Sequence, residues 1–148
     1  MLRYLTLAFF TATTLLSPVA LAEKAVILPD LSGTWTITTL DDPCEFGGQA
    51  TLTKSDAGYV GQLIMRHDCP GWESGPVTAL QSSTVSINGN QVSVRSKIID
   101  FPLTSWSSTY APDDFALTIQ SADRMHGIQT DRYGMKSATW VRSEGGIS

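Results

Sequence analysis

Leu31-Ser32-Gly33-Thr34-Trp35-Thr36-Ile37-Thr38 is the stretch on which the fold turns. Pro29 and a turn-forming Asp30-Leu31-Ser32 lead into it. Small or apolar residues (Gly33, Trp35, Ile37) then alternate with hydroxyls (Thr34, Thr36, Thr38), the period of a strand with one buried face. An indole this early in a first strand suits a plug for one end of a β-barrel. Near the other terminus, Trp140-Val141-Arg142 would bring an arginine over that plug.

The same two-residue period recurs outward from this stretch. Gln49–Lys54 and Tyr59–His67 flank the turn Ser55-Asp56-Ala57-Gly58, and Gly61, Leu63, Met65 and His67 share the inner face of the second segment. Ala79–Ile87 and Gln91–Ile99 flank Asn88-Gly89-Asn90, a strong hairpin signal. Trp106–Tyr110 and Phe115–Ile119 read as short strands, and Met125–Tyr133 with Ser137–Arg142 as a last hairpin around Gly134. Leu40–Cys44 and Gly47-Gly48 read as connections. After residue 22 no apolar pattern holds a helical period over three turns. The chain is therefore expected to be all-β: a single antiparallel up-and-down barrel of eight or nine strands.

Residues 1–22 have the form of a cleavable signal peptide. Arg3 is followed by an apolar run from Leu5 to Leu16, then Pro18 and the small-x-small triplet Ala20-Leu21-Ala22. The run is too short for a comfortable membrane span, and nothing later reaches the roughly 18 apolar residues that spanning needs. The expected organisation is a signal over 1–22 and one barrel domain over 23–148, in the periplasm or outside the cell. Removing the signal takes away only Arg3, leaving nine basic against fourteen acidic side chains, a balance of −5. With the basic residues scattered, that balance argues against nucleic acid, whose binding rests on neutralising phosphates.

Cys44 and Cys69 are the two cysteines. In an exported chain they most simply form one disulfide, worth roughly 3.5 kcal/mol for a loop of this length in the chain-entropy account. It would fasten the first connection to the loop Asp68–Pro76, which two prolines and two glycines keep irregular. Trp72 in that loop either meets a ligand or folds over the barrel end. No metal ligand set at zinc spacing is present, and no cofactor is implied.

With Gly33-x-Trp35 in the first strand, Trp140-x-Arg142 in the last, and glycines such as Gly61 and Gly127 inside the hairpins between, the chain resembles the calycin-type barrels: lipocalins, fatty-acid-binding proteins and avidins. The resemblance implies that Trp35 packs at the closed end and that Arg142 bonds the arriving chain. Closure removes both sheet edges, and the end then needs a large plug and a donor for free carbonyls. Thr38–Asp42 do not reproduce an avidin biotin site. The start alone, Ala25–Pro29 followed by Asp30–Trp35 and two cysteines, is similar to small periplasmic inhibitors of secreted zinc proteases, whose N-terminal arm enters the protease cleft.

Three functions follow as expectations. The first is a non-catalytic barrel holding a small apolar or amphipathic ligand at the end bearing His67, Trp72, Trp106 and Tyr110, with Leu63 and Met65 in the wall below. The second is inhibition of a secreted protease through the arm Glu23–Pro29. The third is a small enzyme pairing His67 or His126 with Asp131 or Tyr133. The small inward residues Gly61, Ser96, Ser108 and Gly127 would either open a cavity or ease strand bending.

Overall fold

The computed structural model describes residues 27–72, 75–102 and 110–143. Eight strands carry the chain: β1 (Gly33–Asp41), β2 (Cys44–Ser55), β3 (Gly58–Asp68), β4 (Val77–Asn88), β5 (Gln91–Asp100), β6 (Asp114–Ser121), β7 (Arg124–Asp131) and β8 (Gly134–Arg142). Each pairs antiparallel with its sequence neighbours, and β8 pairs with β1 to close the cylinder. No described residue is helical. The all-β, up-and-down barrel expected from the alternation is the fold observed, with eight strands among the described residues.

Two boundaries differ from the sequence-based expectation. Gly47 and Gly48 lie inside β2, opposite Thr38 and Ile37, and do not form a connection. The first turn is instead the short Asp42-Pro43. Glycine weakens the strand signal because it presents no side chain, yet here it continues the ladder. Tyr110 lies outside any strand, and the rest of the segment expected to form a short strand, 106–109, lies outside the described residues, as do residues 1–26.

Inward positions follow the two-residue period. Trp35 and Ile37, then Ala50 and Leu52, then Tyr59, Leu63 and Met65 join Val85, Val92, Val94, Phe115, Leu117, Met125, Ala138 and Trp140 in one core. Full burial of each large apolar side chain stabilises by about 1.5–3 kcal/mol before conformational entropy is counted. Gly61 and Gly127 leave no spare space inside the barrel. A Cβ on Gly127 would meet the Ala116 carbonyl oxygen, and one on Gly61 would meet Ser83 Oγ and Leu52 Cδ2. The neighbouring strand or side chain already fills each position.

One end is sealed by a few residues far apart in sequence. The Trp35 indole N–H donates to the Leu31 carbonyl at 2.9 Å, and Leu31 is fully buried. Arg142 stacks its guanidinium 4.5 Å from the Trp35 ring centroid. It donates to the Ser32 carbonyl at 2.5 Å, to that of Asp30 at 2.7 Å and to that of Ala122 at 3.0 Å. The Tyr59 hydroxyl donates to Asp30 and accepts from the Leu31 amide. These carbonyls belong to the arriving chain and the β6–β7 turn, which no strand partner can satisfy. Replacing Arg142 with Met should keep the packing stem but orphan them, lowering stability by roughly 1.5–3 kcal/mol. Equilibrium urea unfolding reads this as a lower midpoint at unchanged slope; a loss below about 0.5 kcal/mol would show that closure does not need the arginine.

Candidate functional site

At the opposite end the inward face changes character. His67 is the penultimate residue of β3, Val77 opens β4, Asp113 stands just before β6, and Gln129, Asp131 and Lys136 come from β7 and β8. Asp113 has no exposed surface. Its carboxylate accepts from Gln81 Nε2, from Gln129 Nε2 and from the Tyr110 hydroxyl at 2.7 Å, with His67 Nε2 at 3.4 Å. The Asp113 amide in turn donates to Gln81 Oε1 at 2.9 Å. A register shift at Leu80/Gln81 accompanies this change of face.

The proton inventory follows from the geometry. Tyr110 has a single hydroxyl hydrogen, given to Asp113, so its oxygen accepts from His67 Nε2 at 2.9 Å. Burial raises the Asp113 carboxyl, but the His67, Tyr110 and Gln81 contacts outweigh it and hold the group below its ordinary value. Burial, and then the negative charge of Asp113, push the Tyr110 phenol far above its own.

A second ion pair completes the ring. Lys136 Nζ lies 2.7 Å from Asp131 and 3.6 Å from Asp41, with the Phe46 ring centroid at 4.8 Å. Asp131 also accepts from the Tyr133 amide at 2.7 Å. His67, Asp113 and Asp131 bring candidate ligand atoms within 4.8 Å of one another, the one such group found among the described residues. His67 Nε2 is a donor here, however, and Lys136 already supplies the positive charge beside Asp131. The group is arranged as a proton-filled network.

Aromatic rings surround it. Phe46 lies 4.2 Å from the His67 ring centroid and 6.5 Å from that of Trp72, while Tyr110 lies 5.0 Å from His67 and 5.6 Å from Phe101. The disulfide Cys44–Cys69 ties the tip of the first hairpin to the loop carrying half-buried Trp72. A groove of about 740 Å³ runs along the first hairpin and around this tip, lined by Leu40 to Phe46 among others and by Arg66.

Of the residues singled out in the sequence, His67, Trp72 and Tyr110 gather at this mouth. Leu63 and Met65 lie fully enclosed in the core, and Trp106 falls outside the described residues. His126 is remote from the cluster and shares a hydrogen bond with Thr139 at 3.0 Å. Asp68, the sequence neighbour of His67, pairs with Arg66 at the surface. The partners of His67 are Tyr110 and Asp113, more than forty residues away. Gln81, Asp113 and Gln129 carried no sequence signal except that polar residues interrupt inward alternation in β4 and β7.

No family model matches the chain, and no curated protein does. Among solved structures it is similar to a redesigned β-barrel, mFAP1, bound to DFHBI, at 17% identity and TM-score 0.49, covering 76% of this chain and 94% of that one. A second redesigned β-barrel matches at the same identity and TM-score, covering 77% and 92%. Likeness at this level says nothing of ligand or activity.

Asp113→Ala should leave two amides and a phenol without their acceptor and cost about 3–5 kcal/mol. Because the folded carboxyl is held below 3.8, its contribution is present above that value and lost as pH falls through the lower folded value. Asp113→Asn should therefore flatten the acid limb of a stability–pH profile below 3.8. An acid limb identical to that of the parent chain would show that Asp113 is not the group titrating.

Proposed function

We propose that the protein is an exported, non-catalytic calycin-like barrel that binds one small, partly apolar molecule at the mouth formed by His67, Trp72 and Tyr110. The observation that supports it is the pairing of an aromatic collar with a polar ring at the end opposite the Trp35 plug. Ligand sites are commonly apolar concavities of about 300–1,000 Å³ with a few convergent polar groups, and barrel mouths are a usual place for them. Leu63 and Met65, inward on the same strand as His67, are assigned to the apolar wall beneath the mouth. The signal-like residues 1–22 and the single disulfide support export to the periplasm or beyond. The acidic balance makes nucleic acid a poor partner.

Catalysis is the weaker assignment. Asp113 already has its acceptor sites occupied, and His67 and Asp113 are almost wholly buried. A general base must reach a substrate proton, and these groups face one another.

The proposal is tested with the neutral dye N-phenyl-1-naphthylamine. Dye emission should rise on binding at micromolar concentration, and Trp72→Ala should weaken the affinity about tenfold, or 1.4 kcal/mol. Unchanged emission and melting temperature across alkyl, aryl and terpenoid compounds would remove this function. A second assignment, protease inhibition, draws on the start of the described chain. Ile27 is 93% exposed and is followed by Leu28 and Pro29, while the chain behind them is anchored by Arg142 at Asp30 and Ser32. Deleting residues 23–29 should abolish inhibition of a secreted metalloprotease and leave the melting temperature unchanged. An intact protein that inhibits none would dismiss it.

A further inference from the structure

The groove of about 740 Å³ along the first hairpin lies on the outer wall of the barrel. Thr36, Thr38 and Leu40 point outward from β1, and Gln49, Gly47 and Glu45 stand opposite them on β2. Arg66 of β3 flanks Gly47 on the other side. Gly47 sets the floor, since a Cβ there would meet the Ile37 carbonyl oxygen at 2.8 Å. The close approach of β1 to β2 thus keeps the floor at backbone level. From Thr36 to the tip at Asp42 the groove follows the strand for about 20 Å at the usual rise per residue, the span of about six extended residues.

The tip end of this groove is negative and partly apolar. Among the described residues no ion pair or hydrogen bond engages the side chain of Asp42 or Glu45. Lys136 lies 3.6 Å from Asp41 but 2.7 Å from Asp131, and Arg66 is turned to Asp68 at 3.1 Å. Beside these carboxylates Leu40 is 74% exposed. Both walls are already paired on each side, β1 with β8 and β2, and β2 with β1 and β3. No free sheet edge is offered there, so an occupant must be held through side chains. A second copy of the chain is a poor match, because it brings fourteen acidic against ten basic side chains to an acidic groove.

We infer that this groove docks an extended segment of a partner polypeptide in which basic residues adjoin an apolar one. The apolar side chain covers Leu40, and the basic ones meet Asp42 and Glu45 at the tip. The remainder of the segment lies over Gly47, between Thr38 and Arg66. Affinity comes from a modest apolar contact and two exposed charge pairs, so the complex is weak and sensitive to salt. The site is separate from the mouth and does not depend on the small-molecule binding proposed above.

Fluorescein-labelled, end-capped hexapeptides test this on the full chain at low salt by anisotropy. One carries two serines, two leucines and two lysines in that order, and is made also in reverse because the groove is open at both ends. Its analogues have glutamate for lysine, or serine for leucine. The parent peptide, in the better of its two orders, should bind about tenfold tighter than either analogue. The double variant Asp42→Asn, Glu45→Gln should weaken it about fivefold. Leu40→Ser, which leaves the tip turn intact, should do so to a similar extent. Asp56→Asn, an exposed carboxylate at the plugged end, should change nothing. None of these exposed substitutions should lower the melting temperature or alter binding of the naphthylamine dye, so the groove and the mouth are scored separately. Equal affinity for the three peptides would overturn the inference, as would no binding in either order. So would an equal loss in Asp56→Asn, which would mean general attraction to an acidic protein. A dimer in sedimentation that Leu40→Ser dissociates would assign the groove to a second copy and overturn it too.

Discussion

The guanidinium of Arg142 is the interaction on which the architecture depends. An antiparallel sheet of eight strands can be left open with two raw margins or closed into a cylinder, and closure must leave one end where the chain arrives with unpaired carbonyls. Arg142 meets that need in one group. Its planar face lies on Trp35, and its N–H donors take the carbonyls of Asp30, Ser32 and Ala122. A lysine has the charge but neither the plane nor the fork. The last strand therefore holds the first at two levels, by the β1–β8 ladder and by this clasp beyond it.

With one end made apolar and tight, the other is free to be polar. A barrel of this size has little interior, so a buried carboxylate must bring its partners with it. Asp113 does so by drawing amides from β4 and β7 and a phenol from just upstream, while Lys136 is matched by Asp131 and Asp41. The result is a gradient along the axis, from indole and leucine through a zone of serine, glutamine and tryptophan to paired charges and a collar of rings. Satisfied networks of this kind fix geometry.

The architecture was legible because strand alternation is local. Trp35 and Ile37, or Leu63 and Met65, declare their face within a few residues, and Asn88-Gly89-Asn90 declares its turn. The β2 boundary was misplaced because Gly47 and Gly48 give no alternation signal, although the ladder runs straight through them. The mouth was only half visible. His67, Trp72 and Tyr110 draw attention by type, but their organiser, Asp113, sits beside Asp114 after a proline and looks like an ordinary turn residue. Two adjacent aspartates have opposite fates here: Asp114 pairs with exposed Arg95 while Asp113 is wholly enclosed. Only closure, which brings β4 and β7 around the start of β6, separates them. The same holds for Ser83 and Ser96, whose lack of partners is a property of the assembled wall.

An even number of strands has one more effect. Since β1 begins and β8 ends at the plugged end, with the Ser143 amide donating to the Thr34 carbonyl, the described chain enters and leaves the barrel at the same pole, away from His67 and Trp72. A body joined directly at residue 27 or residue 143 would hold this cylinder by its base, its collar facing outward like a cup on a stem.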